Sequence, residues 1–216
     1  MDDLVPVDLV PRPVLHGVQD DEPQREVFFI GRRPITCPLD LTTAPEHLRA
    51  YAEEKRGQVE FRQLVLNVSL RPKPGEPIRR VVLTVRTVPA DVTEELLLRD
   101  LDPVKLSKAV QRQSTMTLKG GLGGVGPEGA RGAQYEKDDP YLVGDGIDTP
   151  EAQWEFRQTK SQDLEGSQRL KVTVELPVGG TGSYRLSAGV TIRRKRLGVI
   201  GYNARFPRGW EDVPCR

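Results

Sequence analysis

An antiparallel, mainly β chain is what this sequence predicts, arranged as a β-sandwich of immunoglobulin-like or jelly-roll type with one or two short helices. Three observations predict it. From residue 61 onward, apolar side chains recur at every second position over several runs, which is the strand period. The 216 residues include 21 Gly and 18 Pro, well above the roughly 12% of an average chain, and that favours turns over long helices. Each alternating run is also polar on its second face, so each sheet must cover one face with another layer and leave the other in water.

The elements follow in order. Residues 1–26 hold seven acidic residues against Arg12 and Arg25, with Pro6, Pro11, Pro13 and Pro23. Such a segment cannot offset its ordering entropy with its own apolar area, so an extended acidic arm is expected. Residues 27–60 form a lead-in. Val27-Phe28-Phe29-Ile30 has strand composition and is closed by Gly31 and Pro34. Thr43-Ala44-Pro45-Glu46 then opens a helix that Gly57 stops, with a hydroxyl before a first-turn Pro and an acid at the N-terminus.

Residues 61–216 are expected to be the sandwich. Leu64, Leu66, Val68 and Leu70 alternate with polar neighbours, and Val81, Leu83 and Val85 do the same after a Pro-Lys-Pro-Gly-Glu-Pro break. These two runs read as one antiparallel hairpin. Residues 91–102 suggest a short helix. Val110, Arg112, Ser114, Met116 and Leu118 alternate with Gln and Thr as a half-exposed or edge strand. A long Gly-rich and acidic loop over 119–151 follows, and then Trp154 and Phe156 resume the strand period as core residues. The clearest alternation comes last, at Leu170 to Leu176 and at Tyr184 to Ile192. A phase change at Val199–Ile200 reads as a β-bulge. No internal repeat of 20–50 residues is present, which argues against a solenoid or propeller.

Charge and cysteine content restrict the function classes. Lys and Arg number 32 against 31 Asp and Glu, a net charge of +1, unlike a strongly basic nucleic-acid domain. Nucleic acid is therefore an unfavoured partner. No apolar run reaches the ~18–20 residues of a spanning helix, so no integral membrane segment is expected. The first residues lack the cationic start and apolar stretch of a secretory signal. With Cys37 and Cys215 as the two cysteines, reduced thiols and a cytoplasmic location follow as expectations.

Several constellations invite a chemical reading. Gly121-Leu122-Gly123-Gly124-Val125-Gly126 matches G-x-G-x-x-G, but Pro127 and Gly129 follow where the fingerprint needs a helix, so no dinucleotide cofactor is expected. Asp138, Asp139, Asp145 and Asp148, with Glu151, place carboxylates around a Gly-containing loop. They are the candidate ligands for a hard cation such as calcium. Arg193-Arg194-Lys195-Arg196, with Arg208 and Trp210, form a basic C-terminal edge suited to binding a partner. Catalysis finds little to use. His16 and His47 are the only histidines, a Cys37–His47 pair is the one nucleophile arrangement in view, and no hydrolase or nucleotide motif occurs. No family resemblance emerges from these motifs.

The leading expectation is a non-catalytic cytosolic module for binding or assembly, through self-association or a protein partner, with no cofactor. The alternative is a β-sandwich enzyme or ligand-binding domain using the 138–151 loop for carbohydrate or calcium. A third reading is a membrane-active effector that inserts residues 110–126 as a hairpin.

Overall fold

A computed structural model of the chain describes residues 4–12, 22–32, 34–90, 95–114, 133–195, 197–206 and 212–215, with side chains of 108–114 and 133–138 outside the description. Thirteen strands and one helix occur among the described residues: β1 (Leu4–Pro11), β2 (Gln24–Gly31), β3 (Ile35–Pro38), α1 (Glu46–Glu54), β4 (Val59–Leu70), β5 (Ile78–Pro89), β6 (Leu98–Asp102), β7 (Lys105–Ser114), β8 (Ala133–Asp145), β9 (Glu151–Arg157), β10 (Gly166–Pro177), β11 (Gly182–Arg194), β12 (Gly198–Arg205) and β13 (Val213–Pro214).

All strand pairs are antiparallel and follow one path, β6-β10-β4-β2-β1-β12-β11-β5-β9-β8-β7, with β3 on β4 and β13 on β11. The expected antiparallel, mainly β character is present. The finer expectation of two separate sheets differs from the pairing, which runs as a single curled sheet. Two long ladders frame it. β4 pairs with β10 from Val59↔Pro177 to Leu70↔Gly166, and β5 pairs with β11 from Pro89↔Gly182 to Ile78↔Ile192. Their inward residues share one buried cluster: Leu64, Leu66, Val68, Leu170, Val172 and Val174 from the first, and Val81, Leu83, Val85, Tyr184 and Val190 from the second. Tyr184 spans the core and donates its hydroxyl to the Arg62 carbonyl at 3.4 Å.

The helix begins where the sequence places it. Pro45 occupies the N-cap position, and Gly57 beyond the helix takes φ +77°, a conformation that costs glycine little. α1 covers the outer face of β4, where Leu48 and Ala44 bury against Phe61 and Tyr51 meets the Phe61 ring edge-on at 6.2 Å.

Several local expectations are corrected. β4 and β5 do not form a hairpin: β4 lies against β10, β2 and β3, and β5 against β11 and β9. The link between them holds Pro72, Pro74 and Pro77, and proline cannot donate to a ladder. The Arg71 amide instead bonds to the Val27 carbonyl, and the Arg193 amide to the Pro77 carbonyl, as the chain passes from β4 to β5. Residues 98–102, expected in a helix, are strand β6, because Leu98 and Leu101 enter the core opposite Val174 and Val172. Residues 91–94 lie outside the described residues. The bulge expected at Val199–Ile200 is absent from β12, whose register is continuous against both β11 and β1. Ile200 and Tyr202 simply point inward while Val199 points out.

Within the acidic N-terminal segment, Leu4–Pro11 is an interior strand between β2 and β12, with Val7 and Leu9 fully buried. Alternation over so few residues is masked in the sequence by Pro6 and Asp8. Tertiary partners supply the apolar cover that the segment lacks alone.

Candidate functional site

The feature that stands out is the ribbon formed by β7 and β8. Its root is well held. Leu142 is fully buried, Leu106 packs on the core, and Lys105 and Leu106 pair with Val143 and Leu142. Trp154 is fully buried, as the sequence predicts for a core aromatic, and its indole N–H donates to the Pro103 carbonyl at 3.0 Å. The Gly144 amide bonds to the Val104 carbonyl at 2.6 Å. A Cβ at Gly144 would lie 3.2 Å from both Trp154 Nε1 and the Pro103 oxygen, so the missing side chain lets that contact form.

Beyond the root the ribbon leaves the sheet. β8 pairs with β9 only from Leu142↔Phe156 to Asp145↔Gln153. The β7–β8 ladder continues outward from Ser107↔Pro140 to Ser114↔Ala133, eight pairs with no third strand among the described residues. At about 3.3 Å per residue, these arms span roughly 26 Å. The ribbon encloses residues 115–132, so most of the expected inserting segment 110–126, the glycine fingerprint and residues 119–132 of the expected 119–151 loop lie outside the described residues. Residues 133–145, expected in that loop, are instead strand β8, paired with β7.

The carboxylates proposed as metal ligands are placed apart. Asp139 stands opposite Lys108 in the free part of the ribbon. Asp138 neighbours it, but its side chain lies outside the description. Asp145 is at the far end of β8 and accepts the Gly146 amide at 2.9 Å, about 20 Å along the strand from Asp139. Asp148 accepts from Arg99 at 2.7 Å. No group of three or more His, Cys, Asp or Glu is gathered for a metal among the described residues.

Of the basic edge, Arg193 and Lys195 are exposed, and Arg194 pairs with Glu76 at 3.3 Å. Arg196, Arg208 and Trp210 lie outside the described residues. Cys37 and Cys215 are free thiols. Cys37 directs its Sγ to the Gln63 carbonyl at 3.8 Å.

Sequence reasoning missed the cluster around Arg99. Its guanidinium donates to Asp148, to Glu175 and to the Tyr51 hydroxyl at 3.0 Å, and it covers the Tyr51 ring at 4.8 Å. Burial and then the Glu175 carboxylate hold the Tyr51 phenol above its ordinary range. This cluster ties α1, β6, β10 and the 146–149 turn together beside a cleft of about 350 Å³. A second cleft of about 430 Å³ is lined by Cys37, Asp100, Asp102 and Lys171 among others. Burial raises the Asp100 carboxyl there, with His47 opposing, and Lys171 pairs with Asp102 at 3.0 Å. Because residues 95–102 were read as helical, no periodicity argument could have brought Arg99 and Asp100 to these partners.

No family model and no curated protein matches the chain. Among solved structures, the chain is similar to the Clostridium perfringens NetB toxin in its membrane-inserted form, at 10% identity over 93% of this chain and 91% of that one, with a TM-score of 0.32. It is also similar to a pore-forming protein, at 8% identity over 93% and 92%, with a TM-score of 0.28. The first is named as a toxin in a membrane-inserted form and the second as a pore-forming protein. On that finding, the expectation of a non-catalytic cytosolic binding or assembly module, with its cytoplasmic placement, is corrected and set aside. A likeness this distant transfers no activity to the chain. No described helix is long and apolar enough to cross a membrane.

Proposed function

We propose that the chain is a membrane-active protein whose β7–β8 ribbon, with the residues it encloses, is the segment that enters the bilayer. The observation that carries this reading is the run of eight ladder pairs that leaves the sheet with no third strand among the described residues. A two-stranded ribbon is marginal in water on its own, so a long one projecting from a well-packed root calls for a destination. Ribbon length supports the reading. A strand crosses the hydrocarbon core with about 9–11 tilted residues, and the eight free pairs come within about one residue of that length within the described residues alone.

The sequence of the first arm is two-sided. Gln111, Gln113, Thr115, Thr117 and Lys119 occupy one set of alternate positions, and Val110, Arg112, Ser114, Met116 and Leu118 the other. One set suits water; in the other Val110, Met116 and Leu118 are apolar, while Arg112 and Ser114 depart from the apolar face of a barrel wall. Inside lipid every backbone group must be paired, which a lone hairpin cannot achieve. Several copies must therefore each contribute a hairpin to one closed barrel, and self-association is part of this reading. The curled sheet, viewed as two facing layers, serves as the rigid body that stays in water.

Release of a trapped dye from vesicles tests the proposal. The wild-type chain is expected to release dye, while Leu118→Asp, which puts a charge on the more apolar side, is expected to abolish release with the melting temperature unchanged. Equal release by both proteins, or none from the wild type across neutral and anionic vesicles, overturns the proposal.

A further inference from the structure

The ribbon leaves the body at one end, and the turn between β11 and β12 stands at that same end. Along β8 the ribbon runs from Leu142 toward Ala133. The parallel direction is rising number in β9 (Leu142↔Phe156), falling number in β5 (Phe156↔Val81) and rising number in β11 (Val81↔Val190). β11 then ends at Arg193 and Arg194, and the chain turns back into β12 at Gly198. Three interstrand spacings, about 14 Å, separate β8 from β11 across the sheet.

The turn combines exposed cations with exposed apolar side chains. Arg193 stands directly opposite Val199, and their neighbours Ile192 and Ile200 are buried, so Arg193 and Val199 share the outer face. Val199 is 64% exposed and Leu197 is 37% exposed. The Lys195 stem lies on the 73–76 turn, where a Cβ at Gly75 would come within 2.9 Å of its Cε. That turn adds exposed Arg71 and Lys73, and its one acid, Glu76, is paired with Arg194. Asp163 and Glu165, on the connection from β9 to β10, are exposed acids at this same end. Exposed Glu22 and Glu26 flank Gln24, which accepts from Lys73 at 3.2 Å, so the positive surface is confined to the β11–β12 turn itself, where Arg193 and Lys195 stand with Leu197 and Val199.

We propose that this turn docks on an anionic lipid surface. Arg193 and Lys195 meet the headgroup phosphates and carboxylates, while Val199 and Leu197 enter the interfacial layer, as amphipathic surface anchors do. The inference rests on the ribbon reading, since docking here would present the ribbon and residues 115–132 to the same bilayer. Nucleic acid would engage the cations but have less use for two projecting aliphatic groups.

Vesicle flotation tests it, with phosphatidylcholine vesicles compared against a 70:30 mixture with phosphatidylserine. A cation near an anionic leaflet contributes about fivefold to partitioning. Arg193→Gln with Lys195→Gln is therefore expected to weaken binding to the mixed vesicles about 25-fold on a multiplicative basis. Val199→Asp should weaken binding to both vesicle types, and raised salt should weaken only the anionic component. All three side chains are exposed, and an unchanged melting temperature shows that the variants fold. Equal binding of the wild type to both vesicle types, or no loss in the double variant, overturns the proposal. So does tighter binding to a single-stranded RNA oligonucleotide than to the mixed vesicles. Binding to anionic vesicles without dye release defeats the ribbon reading and leaves the docking surface standing. Dye release with binding unchanged in the double variant does the reverse.

Discussion

Gly146 shows how a single position can be read from local geometry. It adopts φ +103°, and an added Cβ would lie 2.3 Å from the Glu151 carbonyl oxygen and 2.6 Å from the Ala152 Cα. Both obstacles are backbone and cannot rotate away. Gly146→Ala should therefore cost about 2–4 kcal/mol, measured by urea unfolding, and a loss below about 1 kcal/mol would refute this account. The turn is worth holding. Its Thr149 carbonyl accepts the Leu98 amide, and its Asp148 amide bonds back to Leu98, closing β6 onto the far side of the sheet.

Cys215 is a second residue whose environment sets its chemistry. Burial pushes its thiol up to about 12, against a smaller opposing effect from the Tyr184 hydrogen bond. The folded state thus favours the protonated thiol more than the unfolded state does. Its contribution to stability is complete below the ordinary thiol value of 9.0 and is lost as pH rises from there toward 12. In the native chain at pH 8, an aromatic disulfide reagent should leave Cys215 unmodified until denaturant is added. Rapid modification of both cysteines in the folded protein would contradict this.

At the scale of elements, strand character was legible wherever both faces of a run kept the period of two. Residues 64–71, 81–86, 154–156, 170–176 and 184–193 all satisfy this, and each falls within or overlaps a strand. β1 and β6 were not legible. Pro6 and Asp8 hide the first, and Glu94-Glu95-Leu96-Leu97-Leu98 resembles a helix in isolation. Tertiary partners decide such segments, because an interior strand position rewards burial more than local propensity penalises it. The ribbon belongs to this scale too. Backbone amides of residues 107–114 and 133–140 bond within two strands only, whereas those of β4, β10, β5 and β11 sit inside wide ladders. Amide hydrogen exchange should accordingly be fastest in the ribbon beyond Leu142 and slowest in the four core strands. Ribbon protection equal to that of β5 would show that something else covers it.

For the whole molecule, the chief consequence of the ribbon reading is a dependence on copy number. One hairpin supplies two strands, and eight is the smallest common count for a membrane barrel. Dye release should therefore rise more steeply than linearly with protein concentration, with light scattering showing a large species only when vesicles or detergent are present. A strictly linear dependence would contradict a multi-copy barrel. The candidate site was partly visible at this scale. The polar–apolar alternation at 110–119 and the basic run at 193–196 were both apparent as patterns. That the described ribbon, up to Ser114 and Ala133, and the residues Arg193 to Lys195 lie at the same end of the body follows only from four successive ladders, β7–β8, β8–β9, β9–β5 and β5–β11.

By itself, the sequence determined that the chain is mainly β, that it has a helix opening at Thr43–Glu46, and that Trp154, Phe156 and the long alternating runs form its core. These depend on periodicity and turn chemistry, which are local. Only the tertiary structure decided that β4 and β5 part company across a proline-rich link, that the N-terminal segment becomes an interior strand, and that Arg99 rather than the acidic loop gathers carboxylates. Each of these depends on which distant strand offers cover. A one-dimensional pattern records which face of a strand is apolar, but not the partner that buries it.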